Sequence, residues 1–473
     1  MSILAIDAGT SSIKAAVVEA GGTLDTVARR PAPRDEGAGV DPDRYWATVA
    51  AAIRDVAEAS RSVEGVTVTG QGDGLWTLDE RGDAAGPAFG WNTAYAAEVV
   101  RSWEEDGTIA SHFAASGTVL WPGTSAALWR WLEQTDPEHV EATRWAVCAK
   151  DWINQRLCGA IFTDVTDGTI PFLDIGQGVF SETILTNLGC GGLIGRLPEL
   201  APVGTEIGRV SHEASQVTGI AAGTPVLMGC IDVAAVMFGS GLTEPGQSLA
   251  VLGTTAVALA ITDRLDPSEE GVGATLRLQT PERYLRVLGA NSGTSTLDWY
   301  LDVVLGGREE ADLDRFWVDV ATGDPGVVML PYLSGERAPF LAPDATGTFL
   351  GLTPSSTRAD ISRSVAVGIT FSLRHCLEYA GRDPAATLVL SGGGASSAAW
   401  CQLVADVMGT TVAVDERPHV ACIGAAGLAT EDPSIAKPDL ARYEPRKAYD
   451  AEFDEFVTVG RSVRPLWSTM RRR

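Results

Sequence analysis

Asp232 lies in the apolar stretch Gly223 to Gly241, between Pro225–Met228 and an Ala/Val/Met-rich run. A carboxylate with apolar residues on both sides can face a cleft and take a proton from a bound hydroxyl. The same residue type also serves as a helix N-cap, and both readings stand on the sequence. A second group is Asp7-Ala8-Gly9-Thr10-Ser11-Ser12, with Lys14 two residues on. Small residues let backbone N–H groups approach a ligand and the hydroxyls add donors, which suits a phosphate. A plain hairpin turn favours the same composition. A third group is Gly70-Gln71-Gly72-Asp73-Gly74-Leu75-Trp76, where a carboxylate and backbone could meet polyol hydroxyls and the indole could form an apolar wall. A connecting turn with a core Trp is the plainer account of that stretch. Trp91 and Asn92 could add another wall and an amide.

Two glycine-rich segments follow. Gly253-Thr254-Thr255 repeats the small, hydroxylic character of the first turn. Gly392, Gly393 and Gly394, followed by Ala395 and Ser396, leave room for a flat base or ribose against the backbone. Their spacing is not GxGxxG, which counts against a dinucleotide fold.

The elements that must position these residues read as follows. Pro225–Met228 is a buried strand, Gly229 a turn, and the segment after it a helix, so Asp232 falls near their junction. Ile3–Ile6 and Ile13–Val18 are two strands of a hairpin around the first turn. Ser248–Ile261 repeats that plan around Gly253, which suggests a duplicated domain with two turns facing each other across a cleft. Pro42–Glu58 has helical apolar spacing, and Val66–Thr69 is a strand. Trp121–Trp131 and Val140–Leu157 read as helices, the second running through Lys150-Asp151-Trp152. Thr163–Asp174 reads as a solvated loop, although Asp164 and Asp167 could contribute to a metal cage. Leu188–Glu213 reads as irregular. Leu285–Ala290, Val327–Leu333 and Thr387–Leu390 are expected strands; Ser295–Leu305, Ala359–Ala380 and Ala398–Met408 are expected helices. Gly424–Gly427 would allow close helix packing, Glu452–Leu466 is modestly amphipathic, and Arg471–Arg473 reads as a solvated basic end.

At 473 residues the chain can hold two or three domains, and 45% hydrophobic with 21% charged residues suits a globular enzyme. A formal charge of -25 argues against nucleic acid and anionic membrane as partners. An anionic ligand would have to be met locally, by N–H groups, a few cations and a divalent metal. The seven cysteines are scattered without zinc-site spacing, as expected of reduced thiols. The start, MSILAIDAGT, lacks the features of a secretory signal, and the uncharged run Pro245–Thr262 reads as a strand pair rather than a membrane span. A cytoplasmic location is the resulting expectation.

Taken together these segments resemble the FGGY family of carbohydrate kinases over nearly the whole chain. DAGTSSIK (Asp7–Lys14) is similar to the family's first phosphate motif, LGTT (Leu252–Thr255) to the second, SGGGASS (Ser391–Ser397) to its adenosine motif, and GCIDVAA (Gly229–Ala235) to the segment with the catalytic Asp. PYLSGERAPF (Pro331–Phe340) is very close to the xylulokinase branch. Five motifs in the family's order make the resemblance specific. The departures concern the sugar: Gln71-Gly72-Asp73-Gly74 stands for Gln-Met-His-Gly, Trp91-Asn92-Thr93 for Trp-Asn-Asp, and Val233 for the usual Asn. These loops look more like the erythritol and L-xylulose kinase branch.

The resemblance implies an α/β fold of two duplicated actin-like, ribonuclease H-type domains with an interdomain active-site cleft. The N-terminal domain, 1–240, would carry the sugar site and first phosphate motif, and the C-terminal domain, 241–473, would bind ATP. The implied reaction is ATP-dependent phosphorylation of a terminal hydroxyl on a small ketose or polyol. Asp232 would be the catalytic base and touch the substrate; Gln71, Asp73, Trp76, Trp91 and Asn92 would line its pocket. Asp7 would hold Mg²⁺, with Gly9, Thr10, Ser11, Lys14, Gly253, Thr254 and Thr255 around the phosphates and Gly392–Ser396 at the adenosine. A homodimer is compatible with the resemblance. A chaperone- or actin-like ATPase without a small acceptor is the alternative on the same fold, and the loop at Asp73 argues against it.

Overall fold

The computed structural model describes residues 1–59, 63–265, 271–432 and 440–470. Contacts divide the chain into unit 1 (Met1–Thr243, Thr275–Tyr284 and Arg417–Pro438) and unit 2 (Glu244–Ala274, Leu285–Glu416 and Asp439–Arg473).

Unit 1 is built on β1 (Ile3–Ala8), an apolar run buried along its whole length. It pairs antiparallel with β2 (Ser12–Val18), in a register that sets Asp7 opposite Lys14. β3 (Leu24–Pro31) alternates half-buried and exposed residues and pairs with the far side of β2. α1 (Pro42–Ala57) begins at Asp41, whose carboxylate accepts from the N–H groups of Asp43 and Arg44. Pro42 sits in the first turn, where its missing N–H costs nothing. Val49, Ile53 and Val56 on its inner face join the core under the sheet, each side chain contributing about 1.5–3 kcal/mol when fully buried.

β4 (Gly65–Gly70) runs parallel to β1. After α2 (Ala149–Cys158) the chain forms β5 (Glu206–Arg209) and β6 (Pro225–Leu227); β6 is parallel to β4 and antiparallel to β5. The sheet order is β5-β6-β4-β1-β2-β3. α3 (Asp232–Gly239) follows β6 after a short turn.

Unit 2 repeats this plan with β7 (Ser248–Leu252), β8 (Ala256–Thr262), β9 (Tyr284–Ala290), β10 (Leu388–Ser391), β11 (Val412–Val414) and β12 (Ala441–Tyr443). Their order is β9-β8-β7-β10-β11-β12. β7 and β8 are antiparallel, β7, β10 and β11 are mutually parallel, and β12 is antiparallel to β11. These six of the sheet's seven described strands match β3-β2-β1-β4-β6-β5 in order, so the likeness of the two hairpins extends to their sheets. α4 (Ala398–Met408) follows β10.

α5 (Val420–Thr430) returns to unit 1 and packs on α3. The approach is as close as backbone allows: a Cβ on Gly424 would lie 1.8 Å from Ala235 O, and one on Gly239 would lie 2.4 Å from Val420 O. Among the described residues no helix is long and apolar enough to cross a membrane.

Three sequence expectations fail here. Val140–Leu157 is not one helix but a helix Pro137–Ala142, a strand Trp145–Val147 and α2. The strand forms because it pairs antiparallel with Trp76–Leu78, a tertiary partner that helical spacing does not reveal. Leu188–Glu213 is not wholly irregular, since it contains β5 and the start of the helix His212–Thr218. Thr163–Asp174 is not a solvated loop: Asp164 and Asp167 are at most 2% exposed and face Lys150. The basic end Arg471–Arg473 lies outside the described residues.

Candidate functional site

Three parallel strands of unit 1 end at one place. In the β1–β4 register Ala8 stands opposite Gly70, and Gln71 N–H donates to Ala8 O at 3.0 Å. Beyond β6 the ladder resumes with a parallel bridge between Gly70 and Ile231. The carboxyl ends of β1, β4 and the β6 extension therefore carry Asp7, Gln71 and Asp232 side by side. In open α/β sheets ligands are bound outside such strand ends. Close approach is enforced by small residues: a Cβ on Gly229 would lie 1.9 Å from Val68 O, and one on Gly72 would lie 2.0 Å from Ile231 Cδ1.

Asp232 is the first residue of α3 and is not its N-cap; Ile231 holds that position. The cap account of Asp232 therefore falls away. Burial, reinforced by the negative charge of Asp7, raises its carboxyl to about 7, while Lys14 pulls the other way. A carboxyl poised there can exchange a proton near neutral pH. Asp7 is 4% exposed, and its Oδ2 accepts from Lys14 Nζ at 2.8 Å.

Around this floor the side chains form a chain of hydrogen bonds. Thr10 Oγ1 donates to Gln71 Oε1 at 3.0 Å and accepts from Trp91 Nε1 at 2.9 Å. Trp121 Nε1 in turn holds Trp91 O at 2.9 Å. A cavity of about 700 Å³ opens beside them, walled by Thr10, Ser11, Arg34, Tyr45, Gln71 and Asn92 among others. Its size suits a small ligand. Tyr45 was legible only as a core residue of α1, because its place on the wall depends on how α1 crosses the sheet.

Two expected wall residues lie elsewhere. Trp76 is 3% exposed and packs edge-on against Tyr45 in the core, ring centroids 4.9 Å apart. Asp73 is also 3% exposed, and its Oδ1 accepts from Ser125 N–H at 2.7 Å. Burial drives its carboxyl well above the ordinary value of 3.8. Asp73 and Trp76 therefore point inward, beneath the loop, because its left-handed Asp73-Gly74 corner (φ 59 and 74) turns the chain back into the β-structure. Neither they nor Asp232 and Trp91 belong to the walls of the cavity.

In unit 2 the two glycine-rich loops sit at the ends of adjacent parallel strands, Val251 pairing with Ser391. Gly392 has φ +95, and a Cβ there would lie 2.8 Å from Leu252 O, so the position demands glycine. Gly393–Ser396 forms a 3₁₀ turn in which Gly394 and Ala395 are buried and Gly393 and Ser396 exposed. The Gly253 turn is tied down through its carbonyls: Gly253 O accepts from Thr294 N–H at 2.7 Å and Thr254 O from Ser295 Oγ at 2.7 Å. Gly253 N–H is spent on Thr255 O at 3.2 Å, so the turn offers chiefly the exposed Thr254.

The donor set also bears on a divalent cation. No cluster of three metal-ligating side chains occurs among the described residues. Asp7 Oδ1 carries no hydrogen bond there, and a single carboxylate is what Mg²⁺ uses when phosphate oxygens and water complete its shell. The residues at β1 fit such an ion.

Residues 2–239 match the family model described as the FGGY family of carbohydrate kinases, N-terminal domain, and residues 249–430 match its C-terminal domain. The chain is 32% identical over 447 residues to a xylulose kinase of Streptomyces rubiginosus, covering 91% of this chain and 89% of that protein. It is 28% identical over 513 aligned positions to an erythritol kinase of Brucella abortus, covering 99% and 97%. The crystal structure of a xylulose kinase from Rhodospirillum rubrum superposes with a TM-score of 0.90 at 24% identity, covering 99% of this chain and 100% of that one.

Proposed function

The chain belongs to the FGGY family of carbohydrate kinases, ATP-dependent kinases of sugars and polyols, and on that premise we propose that Asp232 deprotonates a terminal hydroxyl of a small ketose or polyol. The acceptor class is a pentulose or a tetritol or pentitol, in keeping with relatives named xylulose kinase and erythritol kinase. The observation that carries this reading is the meeting of Asp7, Gln71 and Asp232 at three parallel strand ends, with Asp232 raised to about 7. The alternative of an ATPase without a small acceptor has no support from the family matches.

In this mechanism Gln71 and Asn92 hold acceptor hydroxyls, and Trp91, behind the wall, fixes Thr10 by donating its indole N–H to the Thr10 hydroxyl. Asp232 orients the reacting hydroxyl and takes its proton as the phosphorus–oxygen bond forms; in a loose phosphoryl transfer, positioning matters more than basicity. Asp73 and Trp76 support the loop from below rather than touching the sugar. Within unit 1, Thr10, Ser11 and the backbone at Gly9 are donors suited to phosphate oxygens; within unit 2, the hydroxyls of Thr254 and Thr255 are of the same kind. Gly392–Ser396 borders the adenosine. Asp7 would hold Mg²⁺, which when bound neutralises phosphate charge, and Lys14 limits the negative charge that Asp7 presents to Asp232. This work is done in the cytoplasm.

The test is ATP turnover by the native protein across tetritols, pentitols and ketopentoses. ADP release that rises at least tenfold with one of these acceptors, with a phosphorylated product at a terminal carbon, is the expected result. Turnover indifferent to every acceptor would overturn the reading.

A further inference from the structure

Beneath the strand ends of unit 1 lies a fully buried charge cluster. Lys150 Nζ, on the first turn of α2, is 2.6 Å from Asp151 Oδ1, 3.0 Å from Asp164 Oδ1 and 2.9 Å from Asp167 Oδ2, and all four side chains are at most 1% exposed. A lone cation among three carboxylates leaves excess negative charge in a dry interior, which is costly unless some of it is protonated. Burial and the neighbouring Asp164 and Asp151 hold Asp167 at about 8, against the pull of Lys150. Such a cluster is a poor device for stability alone, since apolar residues of similar volume would do as well or better.

Its connections lead toward Asp232. Asp164 Oδ2 accepts from both the N–H and the hydroxyl of Thr166, at 2.8 and 2.5 Å. Thr166 Oγ1 accepts from the backbone N–H of Ile231 at 2.9 Å. Ile231 precedes Asp232 and forms the bridge to Gly70, while Thr69 Oγ1 holds the carbonyl of Cys230 at 2.6 Å. The Thr166 hydroxyl is committed in both directions: its proton goes to a carboxylate that Lys150 fixes, and its lone pair goes to the turn that aims α3.

We propose that Thr166, fixed through Asp164 by the buried Lys150, is a positioning residue that sets the carboxylate of Asp232 against the acceptor hydroxyl. This rests on the assignment of Asp232 as the proton acceptor. The cluster is thereby explained as a rigid anchor under the reacting end of the sheet. Rigidity there matters because a displacement of about 1 Å can cost on the order of 10²-fold in rate.

The experiment compares Thr166→Val, which removes the hydroxyl at nearly constant volume, with Thr166→Ser, which keeps it. Lys150→Met would strand buried carboxylates and endanger the fold, so the decision rests on the Thr166 pair, supported by amide hydrogen exchange. The expected result is a fall in kcat of about tenfold or more in Thr166→Val. The KM for ATP stays within about twofold, exchange at Ile231–Val233 becomes faster, and Thr166→Ser restores both rate and protection. Native kcat in Thr166→Val, or a loss that Thr166→Ser shares, overturns the proposal. Asp232→Asn in parallel separates the two claims: if it is inactive while Thr166→Val is native, the positioning role alone fails. If Asp232→Asn keeps native turnover, the assignment of Asp232 fails first.

Discussion

Lys14 and Asp7 stand opposite each other across the first hairpin, and Lys14 Nζ lies 2.8 Å from Asp7 Oδ2. The pairing follows from strand register, so a phosphate-turn sequence also fixes the electrostatics around Asp232. Lys14 lowers the pKa of Asp232 directly, and by pairing with Asp7 it tempers the charge that raises it. Removing the ammonium acts in one direction on both counts. In Lys14→Met the acidic limb of the kcat profile should therefore move to higher pH than in the native enzyme. A pH–rate comparison checks it; a limb that stays in place or moves to lower pH would contradict the coupling.

Asp232 should also cost stability. Its carboxyl ionises near 3.8 in the unfolded chain and near 7 in the folded one. Stability held by that proton is present in full below about pH 4 and is lost as pH rises through 7. Without nucleotide or Mg²⁺, Asp232→Asn should melt above the native protein at pH 8, and the gap should close toward pH 5. Thermal melts at the two pH values decide, and a variant less stable than native at pH 8 would contradict the sign.

Asp73 offers a test of loop placement. Asp73→Asn should melt above the native protein at pH 8, with the gap closing as the pH falls toward 4, because burial raises this carboxyl well above its ordinary value and Asn keeps an acceptor for Ser125 N–H. Asp73→His must force a larger ring into the packed interior, at about 1–3 kcal/mol. Its activity should fall in proportion for all acceptors, without a change in their ranking. A switched ranking in a normally stable Asp73→His protein would place this side chain against the sugar after all.

Gly424→Ala probes the seat of α3. The added methyl would meet Ala235 O at 1.8 Å, so α3 and α5 must separate, at a cost of roughly 1–3 kcal/mol or more. Both the melting temperature and acceptor-dependent turnover should drop. Unchanged turnover in a destabilised variant would show that Asp232 tolerates movement of its helix.

Much of this architecture was readable from residues alone, and the reason is local. Ile3–Ile6 and Ile13–Val18 are apolar runs broken by small hydroxylic residues, and Ser248–Ile261 repeats them, so both hairpins and their duplication follow from pattern. The α4 boundaries at Ala398 and Met408 follow from Ser397 and Gly409, an N-cap and a left-handed C-cap. What pattern could not show depends on partners distant in sequence. Asp164 and Asp167 look like solvent-facing charges until Lys150 is brought beneath them. Trp76 looks like a binding wall until Tyr45 covers it. Trp145–Val147 looks helical until Trp76–Leu78 pairs with it. In each case the decisive neighbour belongs to another element, and short-range spacing carries no trace of it.

The role of Asp232 is tested most directly by the acceptor-dependent kcat of Asp232→Asn, measured with ATP binding determined on the same protein by calorimetry. The account predicts a fall of roughly 10² to 10⁴ in kcat with ATP affinity kept within about threefold. Turnover close to native in a variant that binds ATP normally would contradict it.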